Sequence, residues 1–373
     1  MRRHGISPRP DWAARVEALG FDFHTLEGAS YWDESAYFEF SATQIDAVED
    51  AADELHRLCL AAAERVVAEG LYERLGIPDA VSGLIEASWR RRDPHLYGRF
   101  DLAWNGADPP KLLEYNADTP TALFEAAAIQ WHWLQDRFPD ADQFNWIHEA
   151  LVERWAGMGL GNRVHLAASA GHAEDQGTIR YLEATALEAG LACKVLAVEE
   201  IGWNGRTFLD LENEPIDVLF KLYPWEWLLG EEFGNHVARA STRFIEPAWK
   251  VLLSSKGILA LLWEMFPGHP NLLPASRDAG ALDGKIVRKP LFGREGGNVS
   301  ILDEGNLLVD GTPGPYGEEG WVHQAYTPLP RSATGHVVAG VWVVGDKACG
   351  LGLREDAGAI TRNSSRFLPH LFR

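Results

Sequence analysis

The sequence predicts an α+β fold in which a small βαβ unit is inserted into a larger core. Three observations lead there. Apolar residues recur at helical spacing from Thr43 to Gly70; residues 96–104 and 111–116 alternate as short strands; and residues 162–222 follow a strand–helix–strand order. At roughly 150 residues per domain, the chain of 373 residues has room for two or three units. No stretch has the composition of a flexible linker. The expected division is therefore a nested one, with residues 1–160 and 240–373 as the core and 161–239 as the insertion.

In the first helix, Ile45, Val48, Ala52, Leu55, Cys59, Ala62 and Val66 form the apolar stripe, and Ser41 or Thr43 is available as a cap. The two strands are joined by Asn105-Gly106-Ala107-Asp108-Pro109-Pro110, a turn-rich connector. A second helix is expected from Thr119-Pro120, where threonine can cap and proline suits the first helical position, through Phe138. The inserted unit reads as strand 163–168, helix 174–189 and strands 193–198 and 216–222. After a helix at 249–265 the chain becomes β-rich again, with KIVRK, VSILD, WVHQAY, HVVAGVWVVGD and ACGLGLRED separated by glycine turns.

Hydrophobic residues make up 46% and charged residues 24%, as in ordinary folded proteins. Fifteen Trp, an unusual number, imply large rigid packing surfaces. The formal net charge of −20 repels phosphate backbones and anionic lipid, which argues against nucleic-acid and membrane partners. It also attracts cationic small molecules such as polyamines, although surface carboxylates serve solubility in most proteins. Cys59, Cys193 and Cys349 are far apart and odd in number, so neither a disulfide framework nor a C-x-x-C metal site is expected. The N-terminus MRRHGISPRPDW has no apolar core of a signal peptide, and no apolar run approaches the ~20 residues of a membrane span. A cytoplasmic location is expected.

Strand alternation places Arg99 and Asp101 on one face of their strand, opposite Phe100, Leu102 and Trp104; Glu114 and Asn116 share a face of the next strand. A hairpin can bring all four together. Asp101, Glu114 and Asn116 are hard oxygen donors suited to Mg2+, and a neighbouring arginine can neutralise a phosphoryl group in transfer. A solvated hairpin with a surface ion pair would have the same spacing. Thr119 and Thr121, at the expected start of the following helix, could meet a carboxylate there or simply cap the helix.

Between two expected strands, KIVRKPLFGREGGNVSIL carries Gly293, Gly296 and Gly297 in a loop whose backbone can approach phosphates. Its order is not that of a Walker A loop, and glycine-rich hairpin turns are usually only turns. Lys289 before the loop and Lys256 before an apolar helix supply two cations, and the segment His323-Gln324-Ala325-Tyr326 could meet an adenine. Glu174 and Asp175 open the helix of the inserted unit, where acidic residues commonly complement the helix dipole.

The stretches YGRFDLAWNG, PPKLLEYNADTPT, EPAWKVLLSSKGILALLWEMFPGHPNLL, KPLFGREGGNVSIL, QAYTPLP and GVWVVGDKACGLGLRED resemble the synthetase domain of glutathionylspermidine synthases and their short single-domain relatives. The resemblance runs from the early YWDE to the terminal ITRNSSRFLPH. It implies an ATP-grasp fold, ATP and Mg2+ as cofactors, and an ADP-forming ligase that joins an acid to an amine through an acyl phosphate. By the same resemblance, Arg99 would stabilise the transferring phosphate and Asp101, Glu114 and Asn116 would hold two magnesium ions. Lys256 and Lys289 would bind ATP phosphates, with Gly296 and Gly297 in the covering loop and Gln324 at the nucleotide. Thr119 and Thr121, serine in some relatives, would contact the acid, with Arg354 close by, and Glu174 and Asp175 would face the amine. The thiol amidase of the bifunctional relatives has no counterpart here, so product hydrolysis is not expected. Glutathione with a polyamine, another acid–amine pair, and nucleotide binding without catalysis remain alternative readings.

Overall fold

The structure is a computed structural model that describes residues 1–26 and 28–373. It is a mixed α/β protein built on several sheets. The central one is antiparallel, with five strands in the order Arg366–Leu368, Lys347–Asp356, His336–Val344, Tyr97–Ala103 and Lys111–Asn116. Strand alternation divides its side chains between two buried clusters. Phe100, Leu102, Leu112 and Tyr115 join the cluster that includes the long helix Ala42–Glu69, whereas Tyr97, Trp342 and Cys349 join the cluster on the other side. Arg99 and Asp101 lie on the second side, since they alternate with Phe100 and Leu102.

The long helix begins where a capping box requires it. Gln44 N–H donates to Ser41 Oγ at 3.3 Å and Ser41 N–H donates to Gln44 Oε1 at 3.0 Å, satisfying two otherwise free amides. It ends at Gly70, whose φ of +68° suits glycine. Its buried stripe includes all seven residues of the expected pattern. Seven of the fifteen tryptophans, Trp32, Trp104, Trp133, Trp155, Trp225, Trp249 and Trp342, are buried, so nearly half of them serve as rigid core.

A second antiparallel sheet, ordered Ala275–Ser276, Trp321–Ala325, Lys285–Pro290, Ser300–Asp303 and Asn306–Asp310, carries Lys289, Gln324 and the glycine loop. A third sheet is parallel, ordered Arg243–Ile245, Val218–Leu222, Arg163–Ala168 and Ala192–Ala197, with the helix Ala173–Glu188 as crossover. Its outer strand, Arg243–Ile245, lies past residue 239, and two short helices, Trp225–Gly230 and Gly234–Val237, follow its Val218–Leu222 strand. The sequence pattern did not separate those helices from loop.

Two expected helices differ from their patterns. The helix expected at 249–265 is a 3₁₀ turn Ala248–Lys250 followed by short helices Val251–Ser254 and Ile258–Met265. Ser255 Oγ donates to Leu75 O at 2.7 Å and Lys256 N–H to Leu291 O at 2.8 Å, which takes these residues out of the helical ladder. A Cβ on Gly257 would stand 2.9 Å from Arg74 O, so the break needs glycine. The helix expected from Thr119 begins only after Ala122, which has φ +66°, and opens with a π turn, Glu125–Ile129, before Gln130–Arg137. Thr119 and Thr121 therefore sit in an irregular segment rather than at a helix N-terminus. The acidic side chain of Asp118 holds that segment by accepting from Lys221 Nζ at 2.7 Å and from Trp225 N–H at 2.8 Å.

Candidate active site

The hairpin register sets Arg99 opposite Asn116 and Asp101 opposite Glu114, bringing all four groups to one face. Arg99 donates through Nε to Asp101 Oδ1 at 2.7 Å and through Nη2 to Asp101 Oδ2 at 3.1 Å, and Nη1 donates to Thr121 O. Gly340 on the adjacent strand makes room: a Cβ there would stand 3.0 Å from Arg99 Cδ. From the next strand, Arg354 Nη2 reaches the same Asp101 Oδ2 at 2.8 Å.

Lys256, freed by the helix break, stands 3.1 Å from Glu114 Oε2 and donates to Gly293 O at 2.6 Å. Lys289 donates to Leu113 O and to Gln324 Oε1, both at 2.8 Å, and Gln324 Nε2 donates to Leu112 O at 2.9 Å. Thus the second sheet is tied to the edge strand of the first by one lysine and one glutamine. Burial pushes the Glu114 carboxyl up, but Lys256 and Lys289 outweigh it and hold the group at about 2. Burial brings Lys289 down to about 8, against the pull of Glu114.

These groups line one cleft with a cavity volume of about 180 Å³. Arg99, Asp101, Glu114, Asn116, Thr119, Thr121, Lys256, Lys289, Gly296, Gln324 and Arg354 all border it. Gly297, next to Gly296, packs against Tyr316 instead: a Cβ on it would stand 3.0 Å from that ring. Glu174 and Asp175 also lie off the cleft wall as described, at the start of the crossover helix, but the charges of Arg354 and Arg99 act on Glu174 and that of Arg294 on Asp175. The hydrophobic part of the wall includes Val287, Val299, Ile301, Leu329 and Val338. An apolar surface beside two lysines fits an aromatic base with attached phosphates.

The donor set fits a hard divalent cation. Asp101 and Glu114 present carboxylates on one face, and Asn116, whose Nδ2 donates to Glu114 Oε1 at 3.1 Å, keeps its amide oxygen for another partner. The surrounding Arg99, Arg354, Lys256 and Lys289 supply positive charge for phosphate oxygens.

The sequence matches the family described as glutathionylspermidine synthase preATP-grasp over residues 3–373. The chain belongs to this family. It is 44% identical to a Haemophilus influenzae protein named "Putative acid--amine ligase", across 99% of this chain and 98% of that one. Trypanothione synthetase of Crithidia fasciculata is 27% identical over 84% of this chain, and the bifunctional glutathionylspermidine synthetase/amidase of Escherichia coli is 26% identical over 86%. The aligned regions cover only 53% and 56% of those two longer relatives, about half of each. In fold, the chain is similar to a glutathione synthetase-like effector of Globodera pallida, with TM-score 0.58 and 10% identity, covering 97% of this chain and 95% of that one.

Arg294, which borders the cleft, and the buried pair Tyr31 and Glu125 escaped the sequence reading. Arg294 in the glycine loop donates to Thr119 Oγ1 and, at 2.7 Å, to Glu226 Oε1, joining the loop to the Thr119 segment and to the short helix Trp225–Gly230. The sequence showed it only as one charge among several in a loop. Tyr31 and Glu125 form the other pair: Tyr31 OH donates to Glu125 Oε1 at 2.6 Å in the interior behind the Thr119–Thr121 segment. Tyr31 is part of the YWDE stretch, but 94 residues separate it from its partner, beyond the reach of any local pattern.

On the reverse side of the central sheet, His56 and His95 each lie 3.2 Å from Asp346 Oδ1, and His56 Nδ1 is 3.1 Å from Tyr115 OH. Burial lowers both imidazoles. The trio anchors the turn between the strands His336–Val344 and Lys347–Asp356 to the long helix and is separate from the cleft.

Proposed function

We propose that this chain is an ATP- and magnesium-dependent acid–amine ligase of the ATP-grasp type, forming an amide through an acyl phosphate. The observation that carries the reading is the convergence of Arg99, Asp101, Glu114, Asn116, Lys256 and Lys289 on one cleft between two antiparallel sheets. Family membership supports the ligase class.

Each group then has a task. Lys256 and Lys289 neutralise nucleotide phosphates, while Gln324 orients Lys289 and borders the apolar wall for the base. Asp101, Glu114 and Asn116 would hold Mg2+, which when bound would neutralise charge on the phosphates. The substrate carboxylate, held near Thr119 and Thr121, attacks the terminal phosphorus, the P–O bond to the β-phosphate breaks, and ADP leaves with its electrons. Arg99 and Arg354 face the charge that accumulates on the phosphoryl and then the carbonyl oxygen. An amine attacks the carbonyl carbon and phosphate leaves. For substrates, we propose glutathione or a similar peptide acid and a polyamine, or another acid and amine that use the same chemistry. The surplus of carboxylates and the position of Glu174 and Asp175 favour a cationic amine.

Purified protein mixed with ATP, Mg2+ and a panel of acid–amine pairs tests the reading. The expected outcome is amide product by mass, with ADP and phosphate in equal amounts and only when all components are present. Release of AMP and pyrophosphate would replace the acyl phosphate with an adenylate.

A further inference from the structure

Three groups from distant parts of the chain meet on the reverse side of the central sheet. His56 continues the buried stripe of the long helix between Ala52 and Cys59, and its side chain is only 2% exposed. His95 lies just ahead of the strand Tyr97–Ala103 and is 9% exposed. Asp346 stands in the tight turn between His336–Val344 and Lys347–Asp356, with 66% of its side chain exposed. Nε2 of each imidazole is 3.2 Å from the same oxygen, Asp346 Oδ1. Among the described residues this is the one group of three histidine, cysteine or carboxylate ligands whose atoms all lie within 4.8 Å of one another. Ligands about 2.0–2.1 Å from a tetrahedral ion stand about 3.3 Å apart. Both histidine-to-aspartate separations already have that length.

The surroundings hold these ligands in place. Gly345 N–H donates to Leu96 O at 2.8 Å, which docks the turn beside His95. Ala348 N–H donates to Asp53 Oδ1 at 2.7 Å, which docks the same turn onto the helix less than one turn before His56. Arg154 Nε donates to His95 O at 2.8 Å, and Trp249 packs edge-on to the His95 ring with centroids 5.2 Å apart. Tyr115 OH lies 3.1 Å from His56 Nδ1. A hydroxyl that accepts from Nδ1–H leaves the Nε2 lone pair facing Asp346, the outer support that metal-binding histidines commonly have. The cation Lys250, 5.6 Å from the centroid of the Tyr115 ring, is offset by Glu246 Oε2 at 3.4 Å.

We propose that His56, His95 and Asp346 form a site for one divalent transition-metal ion, best matched by Zn2+, which clamps together the long helix, the approach to the strand carrying Arg99 and Asp101, and the hairpin turn. Two imidazoles with one carboxylate suit Zn2+, whereas Mg2+ takes oxygen ligands and water. The exposed side of Asp346 gives the ion a way in and leaves the fourth position to water. The site is separate from the cleft, so the inference does not depend on the ligase reading.

A hydrogen-bonded trio without a metal has the same distances, and metal titration separates the two. The full chain is treated with chelator, exchanged into metal-free buffer, and titrated with Zn2+ alone and with Co2+ alone. The expected result is one tightly bound equivalent per chain, a melting temperature that rises with Zn2+ concentration, and the visible absorption of four-coordinate Co2+. Asp346→Asn, at an exposed position where the amide oxygen still accepts from both rings, should keep the wild-type circular dichroism and bind Zn2+ on the order of 100-fold more weakly. Tyr115→Phe, which removes only the supporting hydroxyl, should weaken binding about 10-fold. Unchanged affinity in either variant would place the ion elsewhere and overturn the proposal. A wild-type chain that takes up no Zn2+ at micromolar concentration would overturn it as well, leaving the trio a set of hydrogen bonds.

Discussion

Arg354 Nη2 and Arg99 Nη2 donate to the same oxygen of Asp101, at 2.8 and 3.1 Å, although Arg354 lies on a strand 253 residues away in sequence. The shared carboxylate fixes both guanidiniums over the cleft. Arg99→Ala is therefore expected to lower turnover by a factor on the order of 100 or more while ATP binding persists, as when a transition-state charge stabiliser is lost. Steady-state kinetics beside direct nucleotide titration check this. Near-normal turnover would return Arg99 to the role of a buried structural ion.

Gly340 gives an independent handle on the same guanidinium. In Gly340→Ala the new methyl would meet Arg99 Cδ at 3.0 Å, so the side chain must shift by a few tenths of an ångström. Turnover is expected to fall several-fold with only a small change in melting temperature, because the site depends on position and the strand does not. A variant with unchanged kinetics would show that Arg99 has slack.

Sequence pattern carried the hairpin well, because the period of a strand is two and four polar groups on one face need only the correct register. It failed at the breaks. Ser255, Lys256 and Gly257 look helical until Ser255 Oγ finds Leu75 O and Gly257 is packed closely against Arg74 O, and both neighbours come from a segment about 180 residues earlier. Thr119-Pro120 looks like a helix start for the same local reason. The buried bridge from Lys221 to Asp118 fixes that segment in an irregular path instead. Arg294, Tyr31 and Glu125 were invisible because their meaning lies in partners supplied by other elements.

The proposed amine side rests on Glu174 and Asp175. Replacing them with Gln and Asn together is expected to raise the apparent KM for a polyamine far more than that for ATP. If amine dependence is unchanged in the double variant, these residues serve only the helix terminus.

No thiol is expected to take part. Burial pushes Cys59 up to about 12 and Cys193 to about 11, and raises Cys349 as well. The reactive thiolate is thus scarce at neutral pH. Iodoacetamide at pH 7 should leave turnover intact, and a folded variant with all three changed to Ala should remain active. Loss of turnover in that folded variant would call for a covalent step.

Lys289 gives a pH signature whose sign can be worked out. Burial lowers its ammonium to about 8 from the ordinary 10.5. Below about 8 both the folded and the unfolded chain hold the proton, and the cost of burying the charge is constant. Between about 8 and 10.5 the unfolded chain holds more protons than the folded one, so this group's contribution to stability improves as pH rises. Nucleotide phosphates favour the charged form, so ATP affinity should move in the other direction, weakening as pH climbs through about 8. Lys289→Met, which fills similar space without a charge, should weaken ATP binding at pH 7 and flatten its dependence between pH 7 and 9. The decisive measurement is the difference between wild type and variant in calorimetric titrations across that range, because other groups titrate equally in both. Parallel curves for the two proteins would mean that Lys289 is not the cation the phosphates meet, leaving that task to Lys256.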